Sequence, residues 1–162
     1  MTTYLLLKTL HIVSSVVLVG TGLGTAFFMF FTNRSGSLAA QAVVSRLVVR
    51  ADLWFTTPAV IVQPLSGIAL AHMAGWPLAT PWIGWSLLLY LLTGALWLPV
   101  VWLQLQMARM AAHAAASGGA LPERYGRFAR WWERLGYPAF VAMLAVFALM
   151  VMKPVLPAPW AG

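Results

Sequence analysis

Four long apolar stretches dominate the chain, and short polar or proline-containing segments separate them. They cover about residues 4–31, 53–73, 83–106 and 135–152. A helix needs about 20 largely apolar residues to cross the hydrocarbon core of a bilayer. Because lipid offers the backbone no hydrogen-bond partner, each crossing segment must pair its own N–H and C=O groups, as a helix does. The pattern therefore predicts an all-α protein, a four-transmembrane-helix bundle in which residues 1–162 form a single domain.

The composition agrees with a lipid environment. Of the 162 residues, 62% are hydrophobic and 8% are charged, whereas a soluble domain carries about 25% charged residues. A chain with so few charged residues cannot cover a water-facing surface. We therefore expect the lipid bilayer to be its main partner. The absence of cysteine excludes disulfides, iron–sulfur clusters and thiolate zinc sites.

The basic residues predict the orientation. The net charge is +7, and eight of the ten basic residues are arginines in the connections after the first and third stretches. The positive-inside rule places both connections in the cytoplasm, and thus both termini on the outer, periplasmic side of a bacterial inner membrane. Attraction to anionic lipid headgroups explains this charge better than nucleic-acid binding does. The arginines are Arg34, Arg46 and Arg50, and then Arg109, Arg124, Arg127, Arg130 and Arg134.

The cytoplasmic connections carry helical patterns of their own. Ser37 is a suitable N-cap for a helix that continues into the second span. Before the fourth span, arginines recur at steps of three and four residues from Arg124 to Arg134, so they share one helical face. This pattern is typical of an amphipathic helical extension at the membrane interface that leads into the fourth span.

Polar side chains within the spans are candidates for function, because they are costly in lipid. In the first span, Lys8, His11 and Ser15 share one helical face, and Gly22 follows on that face. Neutral imidazole is a frequent ligand of metals and of haem iron, and glycine leaves room for a flat cofactor. His11 is thus a candidate ligand, and the alternative is a histidine that only hydrogen-bonds a neighbouring helix. His72, at the outer end of the second span, is a candidate partner that lies nearer the surface.

Polar residues also follow stripes on the second and third spans. Asp52 and Gln63 lie on one, and Tyr90 and Gln104 lie on the other. The stripes predict either a polar bundle interior or hydrogen bonds between helices.

The acidic residues have arginine neighbours, which predicts ion pairs. We expect Asp52 to pair with Arg50, Arg46 or an arginine of the other connection, and Glu133 to pair with Arg130. The sequence contains no phosphate-binding loop, dinucleotide fingerprint, zinc-protease motif or nucleophile elbow.

Five segments of the chain carry a family resemblance. They are LKTLHI at residues 7–12, Thr57-Pro58-Ala59, Trp97-Leu98-Pro99-Val100-Val101, Gly136-Tyr137-Pro138-Ala139-Phe140 and Leu149-Met150-Val151-Met152-Lys153-Pro154. Together these segments resemble an uncharacterised bacterial membrane family, domain of unknown function 2269, and the resemblance covers nearly the whole chain.

That family is in turn distantly similar to HemJ-type protoporphyrinogen oxidases and to the CopD membrane domain. This resemblance implies haem b with His11 as an axial ligand of the iron, and Lys8 is placed to hold a propionate. The early span-three lysine of HemJ-type enzymes has no counterpart among Trp85, Ser86 and Leu87. The resemblance therefore extends to haem binding more readily than to porphyrinogen oxidation.

Two functions stay open at this stage. The first is a haem b protein that transfers electrons or oxidises a small substrate, with a membrane redox partner or as a homo-oligomer. Its cofactor-binding residues would be drawn from Lys8, His11, Ser15, Gly22 and His72. The alternative is a non-enzymatic membrane subunit for transport, metal handling or assembly, without a cofactor.

Overall fold

In a computed structural model, which describes residues 2–160, the chain folds into five α-helices and no strand within that range. A π-helical turn, Asp52–Thr56, joins the second helix to the third without a break. Four helical stretches are therefore long and apolar enough to cross a membrane, as the apolar pattern predicts. The helices are α1 (Thr2–Arg34), α2 (Leu38–Ala51), α3 (Thr57–Met73), α4 (Pro81–Ser117) and α5 (Glu123–Met152).

The helix ends follow local sequence signals. The Ser37 side chain accepts a hydrogen bond of 3.3 Å from the Ala40 amide, which confirms the predicted N-cap of α2. Gly118 ends α4 in the left-handed conformation (φ 65°), which glycine adopts without steric cost. The arginine-rich segment before the fourth apolar stretch forms the first turns of α5 without interruption, which confirms the predicted helical lead-in to the fourth span.

The π-helical turn has a cause in the sequence. Pro58 has no N–H, so it cannot donate to the Trp54 carbonyl as an α-helix would require. The backbone instead widens by one residue, and the Thr57 amide donates to the Asp52 carbonyl. Turns of this kind recur at functional sites. Here the turn leaves both Asp52 and Thr56 buried within the bundle.

The helices pack mainly in two pairs, α1 with α3 and α4 with α5, while α2 packs against α4. The most tightly packed core lies near the arginine-rich end of the bundle, the end formed by the two arginine-bearing connections. Met107 and Ala111 are completely buried there. Farther from that end the two pairs separate. The core residues are Met29, Val48, Val100, Leu103, Met107, Met110, Ala111, Tyr125, Ala129 and Trp132.

The structure corrects both expected ion pairs. Glu133 pairs with Arg34, not Arg130, through two parallel hydrogen bonds of 2.7 and 2.9 Å. The Arg130 side chain points back along α5 toward Gly126, which takes it away from Glu133. Within residues 2–160, Asp52 has no ion pair and is instead hydrogen-bonded to its own helix.

We expect Ala111→Leu to lower the free energy of unfolding by about 1–3 kcal/mol, because the added methyl groups would overpack a fully buried position. The neighbouring Ala112 is exposed, so Ala112→Leu is the matched control and should change stability little. Thermal unfolding in detergent micelles would measure both. Equal effects of the two substitutions would contradict the packing of this core.

Candidate functional site

The imidazole of His11 lies between α1 and α3. Its Nδ1 is 2.8 Å from Ser66 Oγ. The Ser66 hydroxyl lies 2.6 Å from the Val62 carbonyl oxygen, which can only accept, so its single proton is directed there. Ser66 Oγ is then placed to accept from His11, which favours the tautomer that carries its proton on Nδ1. In that tautomer the other nitrogen, Nε2, keeps its lone pair.

Neighbouring residues complete a polar cluster of His11, Ser14, Gln63 and Ser66, which we name the α1–α3 cluster. The Ser14 hydroxyl donates to Gln63 Oε1 and also lies 3.0 Å from the His11 carbonyl oxygen. Gly67 leaves space for the imidazole, because a Cβ atom at this position would lie 3.1 Å from His11 Cε1. The polar stripes on the first two spans therefore meet through hydrogen bonds between helices.

The remaining predicted cofactor residues form no hydrogen bond with the His11 side chain within residues 2–160. Lys8 and His72 are exposed at the far end of the bundle from the arginines. Ser15 is buried and donates to the Ile12 carbonyl of its own helix at 2.7 Å. Gly22 lines a separate cavity. Within residues 2–160, no group of three or more histidine or acidic side chains is placed to hold a metal ion.

A cavity of about 470 Å³ lies between the two helix pairs, nearer the arginine-rich end than His11. We name it the interhelical cavity. His11 is not among its lining residues, and most of its wall is apolar. The lining includes Gly22 and Phe27 from α1, Tyr90 and Gln104 from α4, and Trp132 and Tyr137 from α5.

Polar groups at the interhelical cavity include three of the predicted stripe residues. Asp52 Oδ1 accepts a hydrogen bond of 2.9 Å from Thr56 Oγ1 across the π-helical turn. The Gln104 side chain also lies against the Asp52 carboxyl group. Gln104 Oε1 and Trp132 Nε1 are buried without a hydrogen-bond partner. The stripes of the second and third spans thus converge on one cavity.

Tyr90 supplies a hydrogen bond that a proline removes from α3. Pro64 has no N–H, so the carbonyl of Val60, four residues earlier, loses its helical donor. The Tyr90 hydroxyl donates to this carbonyl at 2.6 Å and so joins α4 to α3. In a membrane no water is present to replace it.

Sequence reasoning missed Ser14, Ser66 and Trp132. Ser66 was recognisable, because it is one turn from Gln63 and beside Gly67 on the polar stripe of the second span. Trp132 carried no such signal, since tryptophan at a span end is typical of the interfacial aromatic belt. Its burial depends on how α5 is rotated against α4.

These features define a class: an integral membrane protein with four crossing helices, a polar cluster between two of them and a cavity between the helix pairs. Residues 5–154 match the DUF2269 family, described as predicted integral membrane protein, and the chain belongs to that family. Comparisons with curated proteins and with solved structures found no match.

We expect Tyr90→Phe to lower the free energy of unfolding by about 1–3 kcal/mol, because the Val60 carbonyl would be left buried and unpaired. In a Pro64→Ala background the alanine N–H can bond this carbonyl, so the same substitution should then cost much less. Unfolding by heat or by denaturing detergent would measure the cycle. Tyr137→Phe, at an exposed tyrosine, is the control. The assignment is wrong if Tyr90→Phe costs the same in both backgrounds.

Proposed function

We propose that this membrane protein binds haem b through His11 and takes part in electron transfer or in oxidation of a small substrate. One contact carries the proposal: Ser66 Oγ lies 2.8 Å from His11 Nδ1 and 2.6 Å from the Val62 carbonyl oxygen, which favours the tautomer with the ring proton on Nδ1 and the lone pair on Nε2. Histidines that bind metals commonly have their second nitrogen held in this way, which orients the ring and selects the tautomer. The distant resemblance of the Lys8-Thr9-Leu10-His11 segment to HemJ-type proteins supports the same histidine.

The donor set of the α1–α3 cluster fits an axial ligand. His11 would hold the iron through Nε2, and Ser66 would keep the ring oriented. Gly67 supports the ring position, because a larger residue would press on the imidazole. Bound haem would supply one-electron chemistry within the membrane, and a membrane electron carrier is then the expected partner. Lys8 and His72 are exposed and are not assigned as ligands of the iron. The proposal names one iron ligand, His11.

The alternative is a membrane subunit without a cofactor, active in transport, metal handling or assembly. The hydrogen bonds of Ser14 to Gln63 and of His11 to Ser66 favour it, since they join α1 to α3 whether or not a ligand is present. The two functions differ in one directly measurable property, the presence of a haem chromophore.

We expect the protein purified from haem-sufficient cells to show a Soret band that shifts on reduction. His11→Ala should abolish the band, because it removes the iron ligand. His113 is exposed on α4, so His113→Ala is the matched control and should leave the spectrum unchanged. Ser66→Ala should keep a Soret band but weaken haem binding by about 10- to 100-fold, the usual effect of removing a group that orients a ligand.

Absence of a Soret band, or a band that survives His11→Ala, would refute the haem proposal. Loss of folding is a separate outcome. A His11→Ala protein that elutes as wild type on size-exclusion chromatography, yet lacks the band, would tie the loss to ligation.

We further propose a bacterial inner-membrane location with both termini in the periplasm, supported by the arginines at the helix ends that flank the α1–α2 and α4–α5 connections. The chain has no cysteine, so a thiol reagent can label only a cysteine that is introduced by substitution. In intact spheroplasts, a membrane-impermeant maleimide should label Ala79→Cys, in the α3–α4 connection. It should label Ala120→Cys, in the α4–α5 connection, only after permeabilisation. Both alanines are exposed, which makes them a matched pair. The reverse pattern would place the termini in the cytoplasm.

A further inference from the structure

Two buried polar atoms at the interhelical cavity lack a hydrogen-bond partner. Gln104 Oε1 is an acceptor, and its residue is 4% exposed. Trp132 Nε1 is a donor, and its residue is 6% exposed. Both residues line the same cavity, one from α4 and the other from α5. Buried polar groups in native proteins are nearly always paired, so an unpaired donor and an unpaired acceptor beside one empty space indicate a ligand.

The pairing requirement restricts the head of that ligand. A carboxylate can only accept and an ammonium group can only donate, so each would leave one of the two protein atoms unpaired. A ketone does not fit either, because it has no hydrogen-bond donor for Gln104 Oε1. A hydroxyl group donates one hydrogen bond and accepts others, so it can serve both atoms.

Charge around the cavity also favours a neutral head. Two acidic residues line it, and no lysine or arginine does so within residues 2–160. Glu133 is already paired with Arg34, and Asp52 accepts from Thr56. An anionic head would therefore meet negative charge without a compensating cation.

The walls of the interhelical cavity suit an apolar body. Gly22, Gly94 and Gly136 line it, and a Cβ atom at any of them would meet no other atom within 4 Å. Its edges include large apolar side chains that face lipid: Phe27 and Phe31 on α1, and Phe140 on α5. Since α1 and α5 contact each other little, a molecule dissolved in the bilayer can reach the cavity sideways between them.

We propose that the interhelical cavity binds a neutral lipid-like molecule that carries a hydroxyl head on an apolar body and enters from the bilayer between α1 and α5. The hydroxyl group donates to Gln104 Oε1 and accepts from Trp132 Nε1. This site is separate from His11, which does not line the cavity. It therefore does not depend on haem binding.

The test uses the full chain in lipid nanodiscs and three matched photoreactive probes. Each probe has a 16-carbon chain with a diazirine, and the head is a primary alcohol, a carboxylate or an amine. Mass spectrometry after irradiation locates the labelled residues. We expect the alcohol to label the cavity-lining parts of α1, α4 and α5 about fivefold more than either charged probe does, because it is the head of the three that can both donate and accept a hydrogen bond.

Two substitutions remove one partner each, Gln104→Leu the acceptor and Trp132→Phe the donor. Each should lower alcohol labelling of the cavity about tenfold. Trp132→Phe should change the unfolding temperature little, since it removes an unpaired polar atom, whereas Gln104→Leu should lower it because it also removes the amide beside the Asp52 carboxyl group. Gln106→Leu and Trp131→Phe are the matched controls from the same helices. Neither residue lines the cavity, so both should label as wild type. His11→Ala should also label as wild type, which separates this site from the haem proposal.

Equal labelling by all three heads would overturn the proposal, and so would preferential labelling by the amine, which would instead assign Asp52 as a site for a cation. Alcohol labelling that does not respond to Gln104→Leu or Trp132→Phe would overturn it too. If a variant fails to fold, the comparison of the three probes on the wild-type chain decides the question alone.

Discussion

The whole structure depends on one constraint: a polar group inside the hydrocarbon region must find its hydrogen-bond partner within the protein. Two prolines show the effect of this constraint. Pro58 removes a hydrogen-bond donor at the start of α3, and the backbone there forms a π-helical turn. Pro64 removes another, and the Tyr90 hydroxyl crosses from α4 to the freed Val60 carbonyl. The proline sites thus shape the second span and join it to the third.

The same constraint organises the side chains. His11 and Ser14 on α1 bond Ser66 and Gln63 on α3, and these bonds give the first helix pair a defined rotation. The Ser66 hydroxyl donates a hydrogen bond to the Val62 carbonyl and is placed to accept one from His11 Nδ1. In the tautomer that this arrangement favours, Nε2 keeps its lone pair. Helix packing and ligation are therefore compatible uses of one residue.

The second helix pair is tied to the first mainly near the arginine-rich end, where Arg34 and Glu133 form a bidentate ion pair over the packed core. Beyond that core the pairs separate around the interhelical cavity. At this cavity, Gln104 Oε1 and Trp132 Nε1 are buried without a hydrogen-bond partner. Because both residues line an open space, a bound molecule can supply the missing hydrogen bonds.

The four crossing helices, the N-cap at Ser37 and the arginine-rich end could all be predicted from the amino-acid sequence, because segment length, apolar content and capping are local properties. The helical spacing also places His11, Gln63 and Gln104 on polar stripes. Which side chains meet across helices became known only from the packed structure: His11 bonds Ser66, and Glu133 pairs with Arg34 and not with Arg130. The reason is that lipid and helix faces are similarly apolar, so the rotation and pairing of helices depend on close packing and a few hydrogen bonds between distant parts of the chain. A local sequence pattern does not specify those contacts.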